Sequence, residues 1–211
     1  MTHEDHERRF HGDAARLRAP ERIERLEIDR VVKLCAAGLP GASGRDAASG
    51  RNGAAGRNAA SRRDGAAARV LDVGTGTGVF AEAFAAAGFA VVGIDPNGGL
   101  LAEARRLVPN AEFQEGTAEA LPFPDASFDI VFLGTVLHEA DDAAAALAEA
   151  RRVSRDRVAV LEFPYVREDH GPPLEHRLEP GAVLEMARRA GLGGIEHLKL
   201  AHMELFIARV E

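Results

Sequence analysis

Between Pro20 and Gly38 the apolar residues Ile23, Leu26, Ile28, Val31, Val32 and Leu34 fall mostly three and four positions apart. Glu21 and Glu24 stand in the first turn, Pro20 at its start and Gly38 beyond its end, so this stretch predicts one capped amphipathic helix. The pattern then stops. Residues 40–68 hold no large apolar side chain and repeat every six positions, as Gly44–Ser49, Gly50–Ala55 and Gly56–Ser61. A β-helix of that period needs an apolar residue in each turn, and none is present. Nothing in the segment offsets the entropy of ordering, so it is expected to be a disordered low-complexity insertion.

Beyond it, short apolar runs alternate with helical periodicity. Residues 69–73, 90–94, 111–115, 128–133 and 157–163 read as strands, and 79–87, 98–108, 141–153 and 181–190 as helices. Strands separated by helices of this length make βαβ units and a doubly wound parallel sheet. Residues 195–200 and 204–210 lie too close for a crossover helix and are expected as an antiparallel pair at the sheet edge. The expected fold class is therefore α/β, with a mostly parallel seven-stranded sheet, an antiparallel C-terminal edge strand and an N-terminal helical cap. The divisions are 1–39 for the cap, 40–68 for the insertion and 69–211 for the sheet domain.

Composition narrows the function classes. The chain has 211 residues, 46% of them hydrophobic, enough for one domain with a sizeable core. No apolar run reaches the length of a membrane helix, and Met1–Phe10 is charged throughout with no signal-peptide core, so a cytoplasmic protein is expected. Cys35, the one cysteine, excludes an internal disulfide and any thiolate cluster; no metal site is expected, since His3, His6 and His11 have no rigid element to hold them. Of the net −7, residues 40–68 contribute +3, so the remainder carries −10. An acidic body repels phosphate backbones, which points away from a nucleic-acid partner and toward a small-molecule substrate. The basic residues are arginine except Lys33 and Lys199, a coding bias rather than a design for phosphate forks.

Chemistry concentrates in the first strand–helix turn, Asp72-Val73-Gly74-Thr75-Gly76-Thr77-Gly78-Val79. Glycines let the backbone turn sharply and approach a ligand. The dinucleotide fingerprint expects a glycine where Val79 stands, and a carboxylate at Asp72 sits badly beside a pyrophosphate. It suits a cationic group, such as the amino group of an amino-acid moiety. The second strand ends in Asp95, placed to accept from both hydroxyls of a ribose, or to cap the helix after Pro96 and Asn97; both roles can hold together.

These blocks, with Gly116–Asp129 and Ala148–Val153 in the same order, resemble a class I S-adenosylmethionine-dependent methyltransferase of the small type-11-like kind. The resemblance covers roughly residues 68–163 and implies S-adenosyl-L-methionine as cofactor. It places Gly74, Thr75, Gly76 and Gly78 under the methionine portion, with Asp72 reaching its ammonium. Asp95 and Pro96 lie at the ribose, Thr117, Ala118 and Glu119 along the adenine, and Gly134 and Thr135 touch the cofactor by backbone. Thr117 stands where the family usually has aspartate, which leaves open which residue reads the adenine.

His138 follows the fourth strand and is the side chain best placed to face an acceptor, either as a general base or as a residue orienting the loop. Asp141 and Asp142 read as a helix N-cap and first-turn charges. Glu162 lies at the carboxyl edge of the fifth strand, and Tyr165, His170 and His176 fall in the loop expected to line the substrate side. Phe10 and the N-terminal helix are expected to close over the cofactor. Methyl transfer to a small acceptor is the implied function; a non-catalytic cofactor- or partner-binding protein of the same fold and a nicotinamide-dependent oxidoreductase are the rivals.

Overall fold

The structure, a computed structural model, describes residues 14–39 and 67–211. The expected disorder of the insertion, apart from Ala67 and Ala68, lies outside the described residues, as do Phe10 and the three N-terminal histidines.

Seven strands form one sheet in the order β3-β2-β1-β4-β5-β7-β6. They are β1 (Arg69–Val73), β2 (Ala90–Asp95), β3 (Glu112–Glu115), β4 (Phe128–Gly134), β5 (Ser154–Glu162), β6 (Leu192–Lys199) and β7 (Glu204–Val210). The first five pair in parallel, and β7 runs antiparallel to both β5 and β6. The expected antiparallel pair is thus present at this edge. Its C-terminal strand β7 slots one place in from the rim, because α7 (Pro180–Arg189) carries the chain to the far edge first and a turn closed by Leu200 N–H donating to Met203 O brings it back.

Both faces of the sheet are covered, and the period of two in each strand divides the core. On β1, Val70 packs with α3 (Ile28–Ala36) and α4 (Val79–Ala86), while Leu71 and Val73 pack with α6 (Ala143–Val153) and α7. Helix α5 (Gly98–Leu107) covers β2 and β3, and its first turn is capped by the Asn97 side chain, which accepts from Gly99 and Leu100 N–H. Helix α6 starts at Ala143 rather than Asp141 because Asp142 is its N-cap, accepting from Ala145 N–H at 2.9 Å.

The N-terminal helix is where the sequence reading needs correction. Residues 14–38 form three short helices: α1 (Ala14–Leu17), α2 (Pro20–Arg25) and α3. The break falls at Leu26–Glu27, where the apolar spacing shortens to two. Leu26 turns into the core and Glu27 adopts a left-handed φ of 46°. The Glu27 carboxylate accepts from Ala201 N–H and from Arg30, so this residue ties the cap to the β6–β7 turn. Helix α3 buries Val31, Val32 and Cys35, and Arg157 of β5 donates to the carbonyls of Cys35 and Ala37, which the helix end leaves without partners. Helices α1 and α2 bury no side chain fully.

Candidate functional site

The sheet order reverses between β1 and β4, and there, outside the carboxyl ends of the strands, lies a cleft of about 1340 Å³. Helices α1 and α2 roof it. It is lined by Asp72, Gly74, Thr75, Gly76, Asp95, Pro96, Thr117, Ala118, Glu119, Gly134, Thr135 and His138, residues from the ends of four separate strands and the loops after them. Gly78 is the exception among the residues expected at the cofactor. It is the N-cap of α4 at φ 79°, and a Cβ there would meet Val108, Phe113 and Ala104, so its role is to let helix and strand approach.

On the β1–β2 side, carboxylates hold the glycine turn. Asp95 Oδ2 accepts from Gly76 N–H at 2.9 Å and Oδ1 from Asn97 N–H at 2.8 Å. It therefore fixes the loop beside the Asn97 cap rather than capping α5 itself. Asp72 accepts from Thr75 Oγ1 at 2.6 Å. Burial pushes the Asp72 carboxyl up to about 7, with the Thr75 hydroxyl opposing and the nearby Asp95 adding to the rise. Asp95 is likewise raised by burial, against its two backbone donors. Gly74 sits at φ 66° with its absent Cβ only 2.4 Å from Val136 Cγ2, so no other residue fits without displacing the loop after β4.

On the β4–β5 side the chain assembles a different group. Thr135, at the end of β4, takes a left-handed φ of 56°, a strained conformation for a β-branched residue. His138 follows on a short 3-10 turn, Leu137–Glu139, and is buried. Its Nδ1 lies 2.7 Å from Glu162 Oε2, and its backbone N–H donates to Glu162 Oε1. Nε2 is thereby turned toward Glu139, 3.7 Å away, on the cleft wall. Burial lowers the His138 pKa, but the Glu162 charge and hydrogen bond outweigh it, Glu139 helps, and Arg22 opposes; the net result is a rise.

Glu162 was placed at this edge by the sequence, though nothing there paired it with His138, 24 positions away. Three further residues escaped the sequence reading. Arg22 of α2 reaches down to Thr135 Oγ1 at 3.2 Å. Phe163 forms an apolar wall with its ring against His138. Arg177 is buried and donates to the carbonyls of Pro164, His170 and Pro172, which shapes the loop after β5. Of the loop residues named in advance, His170 and His176 line the cleft and Tyr165 stands outside it, 38% exposed. Glu119 accepts from Asp141 N–H at 2.9 Å, which links the loop after β3 to that before α6. Among the described residues no cluster of His, Cys, Asp or Glu could hold a metal ion.

Residues 71–160 match the family model described as "Methyltransferase domain". A demethylmenaquinone methyltransferase of Renibacterium salmoninarum is 41% identical over 99 residues, 46% of this chain and 42% of that one. The chain thus spans less than half the length of that curated relative. A solved S-adenosylmethionine-dependent methyltransferase of Aquifex aeolicus superposes with a TM-score of 0.74 over 95% of this chain and all of its own, at 20% identity, which shows the shared fold. The YcgJ protein of Bacillus subtilis aligns at 27% identity and a TM-score of 0.55, over 63% of this chain and 64% of its own.

The site suits the cofactor of that class. Asp72 is a deeply buried acid that needs a cation to hold its charge, Asp95 keeps lone pairs free beyond its two backbone bonds, and the loop between them presents bare backbone. A buried carboxylate in that turn fits an ammonium and not a pyrophosphate. Residues 71–160 thus carry the match to the methyltransferase-domain family, on the fold shared with the solved S-adenosylmethionine-dependent methyltransferase.

Proposed function

We propose that the chain transfers a methyl group from S-adenosylmethionine to a small-molecule acceptor held between Phe163, His138 and the roof of α1 and α2. The observation that carries this reading is the pairing within one cleft of two unlike halves, the clamped glycine turn and the buried His138–Glu162 pair. The cofactor supplies an electrophilic methyl on a sulfonium sulfur. What remains for the protein is to hold, align and exclude water, which can remove roughly 7–11 kcal/mol of barrier.

In this reading Asp72 and the backbone of Gly74, Thr75 and Gly76 hold the amino-acid end. Asp95, with Pro96 beside it, takes the ribose hydroxyls, and Thr117 and Ala118 lie along the adenine. Gly134 and Thr135 meet the cofactor where the two halves join. Glu162 fixes the His138 ring through Nδ1, so neutral His138 can accept a proton at Nε2 from an acceptor hydroxyl, amine or acidic carbon. A relative bearing the name demethylmenaquinone methyltransferase supports a small acceptor of quinone-like size, and the apolar Leu26, Phe80, Phe163 and Met203 in the cleft wall agree with a ring.

The test is thermal unfolding with S-adenosylmethionine, S-adenosylhomocysteine and NAD in parallel, followed by transfer of a labelled methyl group to a panel of phenols, hydroquinones and amines. Ligand at a hundred times its Kd adds about 2.7 kcal/mol. A shift with the sulfur compounds alone, and label in an acceptor, is expected. A shift without transfer to any acceptor would favour a binding protein of the same fold. Replacing His138 by Ala should cut transfer by about 10²–10⁴ if it is the base.

A further inference from the structure

Among the cap arginines that face the rest of the molecule, Arg18 and Arg25 are matched, and Arg16, at the cleft rim, is exposed. Arg18 pairs with Glu82 at 2.7 Å and donates to Thr77 O; Arg25 pairs with Glu168 at 3.1 Å. Arg22 is different. It lines the cleft, it is half-buried, and its one hydrogen bond among the described residues goes to the neutral Thr135 hydroxyl. A guanidinium carries five N–H donors in a planar fork, and no described carboxylate stands within ion-pair distance of this one. Burial has drawn its pKa below the ordinary arginine value, with Glu139 only partly opposing, so the charge has given up water without gaining a full partner.

A solvated arginine on a lid would carry no such deficit. Arg22 is held at the junction of the two halves of the cleft. Thr135 fixes it from below, Val136 packs on Gly74 next door, and its field reaches the His138 ring. A planar fork with unmatched donors at that point calls for an oxyanion, bound through two parallel charge-assisted bonds.

We propose that Arg22 is a carboxylate-binding subsite of the cleft. This inference rests on the reading of the cleft as a cofactor and acceptor site. The carboxylate has two possible sources, the amino-acid end of the cofactor, whose ammonium Asp72 would take, or an acidic group on the acceptor beside His138. The geometry requirement is common to both: a fork of the arginine type, which a lysine reproduces in charge and not in shape.

Calorimetric titration of the full chain and of its R22Q and R22K variants separates the sources. The probes are S-adenosylhomocysteine, 5′-methylthioadenosine, which lacks the amino-acid end, and, with and without nucleoside present, 2-naphthoate against its neutral analogue 2-naphthamide. Loss of a charge-assisted pair corresponds to about ten- to hundredfold in Kd. If the cofactor supplies the carboxylate, R22Q weakens S-adenosylhomocysteine by that factor and leaves methylthioadenosine unchanged. If the acceptor supplies it, R22Q abolishes a preference for naphthoate over naphthamide and leaves both nucleosides unchanged. R22K falls between wild type and R22Q in either case. Equal weakening of both nucleosides in R22Q, or no change in any of the probes, overturns the subsite. Failure of wild type to bind either nucleoside overturns the cofactor reading instead, and the naphthoate preference measured without nucleoside then decides Arg22 by itself.

Discussion

The two sides of the cleft are built on opposite plans. On the β1–β2 side each acid serves the turn it stands in, and the turn is a short piece of chain. Asp72 binds Thr75 three positions on, and Asp95 binds Asn97 two positions on, with one longer reach to Gly76. On the β4–β5 side the working groups come from distant places: His138 pairs with Glu162, and Thr135 meets Arg22 across 113 positions of sequence. The first side is a backbone cradle and the second is a side-chain assembly. The lesson is that the half proposed to bind the cofactor is made of local turns, while the half proposed to meet the acceptor is made of contacts that only the tertiary fold creates.

The comparison breaks most severely where the sides touch, at Gly74 and Val136. Gly74→Ala places a Cβ within 2.4 Å of Val136 Cγ2 at a φ of 66°. The left-handed conformation costs roughly 1–2 kcal/mol and overpacking about 1–3 kcal/mol more. Denaturant unfolding should show a loss near the sum, and nucleoside binding should vanish. Adding Val136→Ala should recover the overpacking share alone. Full recovery would mean that the φ at Gly74 carries no strain.

Asp95→Ala tests the cradle without the clash. It frees the Gly76 and Asn97 N–H groups together and removes the proposed ribose acceptor, so S-adenosylhomocysteine binding should weaken by about 1–3 kcal/mol. His138 should keep its titration behaviour, because Asp95 is not among the groups acting on it. Unchanged affinity would remove the ribose assignment.

These two sites also mark how far the sequence could be read. The fold class, the strand order through the glycine turn and the Asp95 position were legible because they follow from period-two runs, short turns and spacing along one stretch of chain. Residues 20–38 were read as one helix because the shortened step at Leu26–Ile28 is a weak signal, and Glu27 bends there for a partner at Ala201 that the local pattern does not contain. Arg22 escaped for a similar reason: among 26 basic residues nothing local separates an arginine half-buried in a cleft from those that face water. Gly78 shows the reverse case. It stands in the glycine motif, and the space beside it is used by Val108 and Phe113 for packing.

The acceptor side is sharpened by pH. Glu162→Gln removes the largest influence raising the His138 pKa, so the acid limb of the transfer rate should move to lower pH, where the ring is neutral and able to take a proton. Nucleoside affinity should stay put. Stability gives the sign independently: a histidine raised in the folded state stabilises fully below its unfolded pKa, and that contribution is lost as pH rises through the folded value. Wild type should therefore lose stability relative to Glu162→Gln on going from mildly acidic to mildly alkaline pH. An unmoved rate profile would leave His138 as a residue that orients the loop.

The cradle has its own proton signature. Asp72 is raised from 3.8 to about 7, so the folded state without ligand holds a proton that the unfolded chain has released, and stability falls as pH rises across that interval. A bound ammonium favours the carboxylate and must expel that proton. Titration of S-adenosylhomocysteine at pH 6 to 7 in buffers of different ionisation enthalpy should show net proton release, absent with methylthioadenosine. No difference between the two would place the amino-acid end elsewhere.

The smallest effect is expected at Arg25, and it tests what holds the roof on. Arg25 and Glu168 are both partly exposed, 24% and 29%, at 3.1 Å, so their pair contributes only ~0.2–1 kcal/mol and is screened by salt. Arg25→Ala should shift unfolding barely at all, because the inner helix α3 is anchored independently through Val31, Val32, Cys35 and the Arg157 bonds to its last carbonyls. Helices α1 and α2 have no fully buried side chain to replace the lost contact. Their amide protons should therefore exchange faster in Arg25→Ala while those of α3 keep their protection, and high salt should do the same to wild type. Equal acceleration in α3 would mean that the cap moves as one body and that the bend at Glu27 is not a mechanical division.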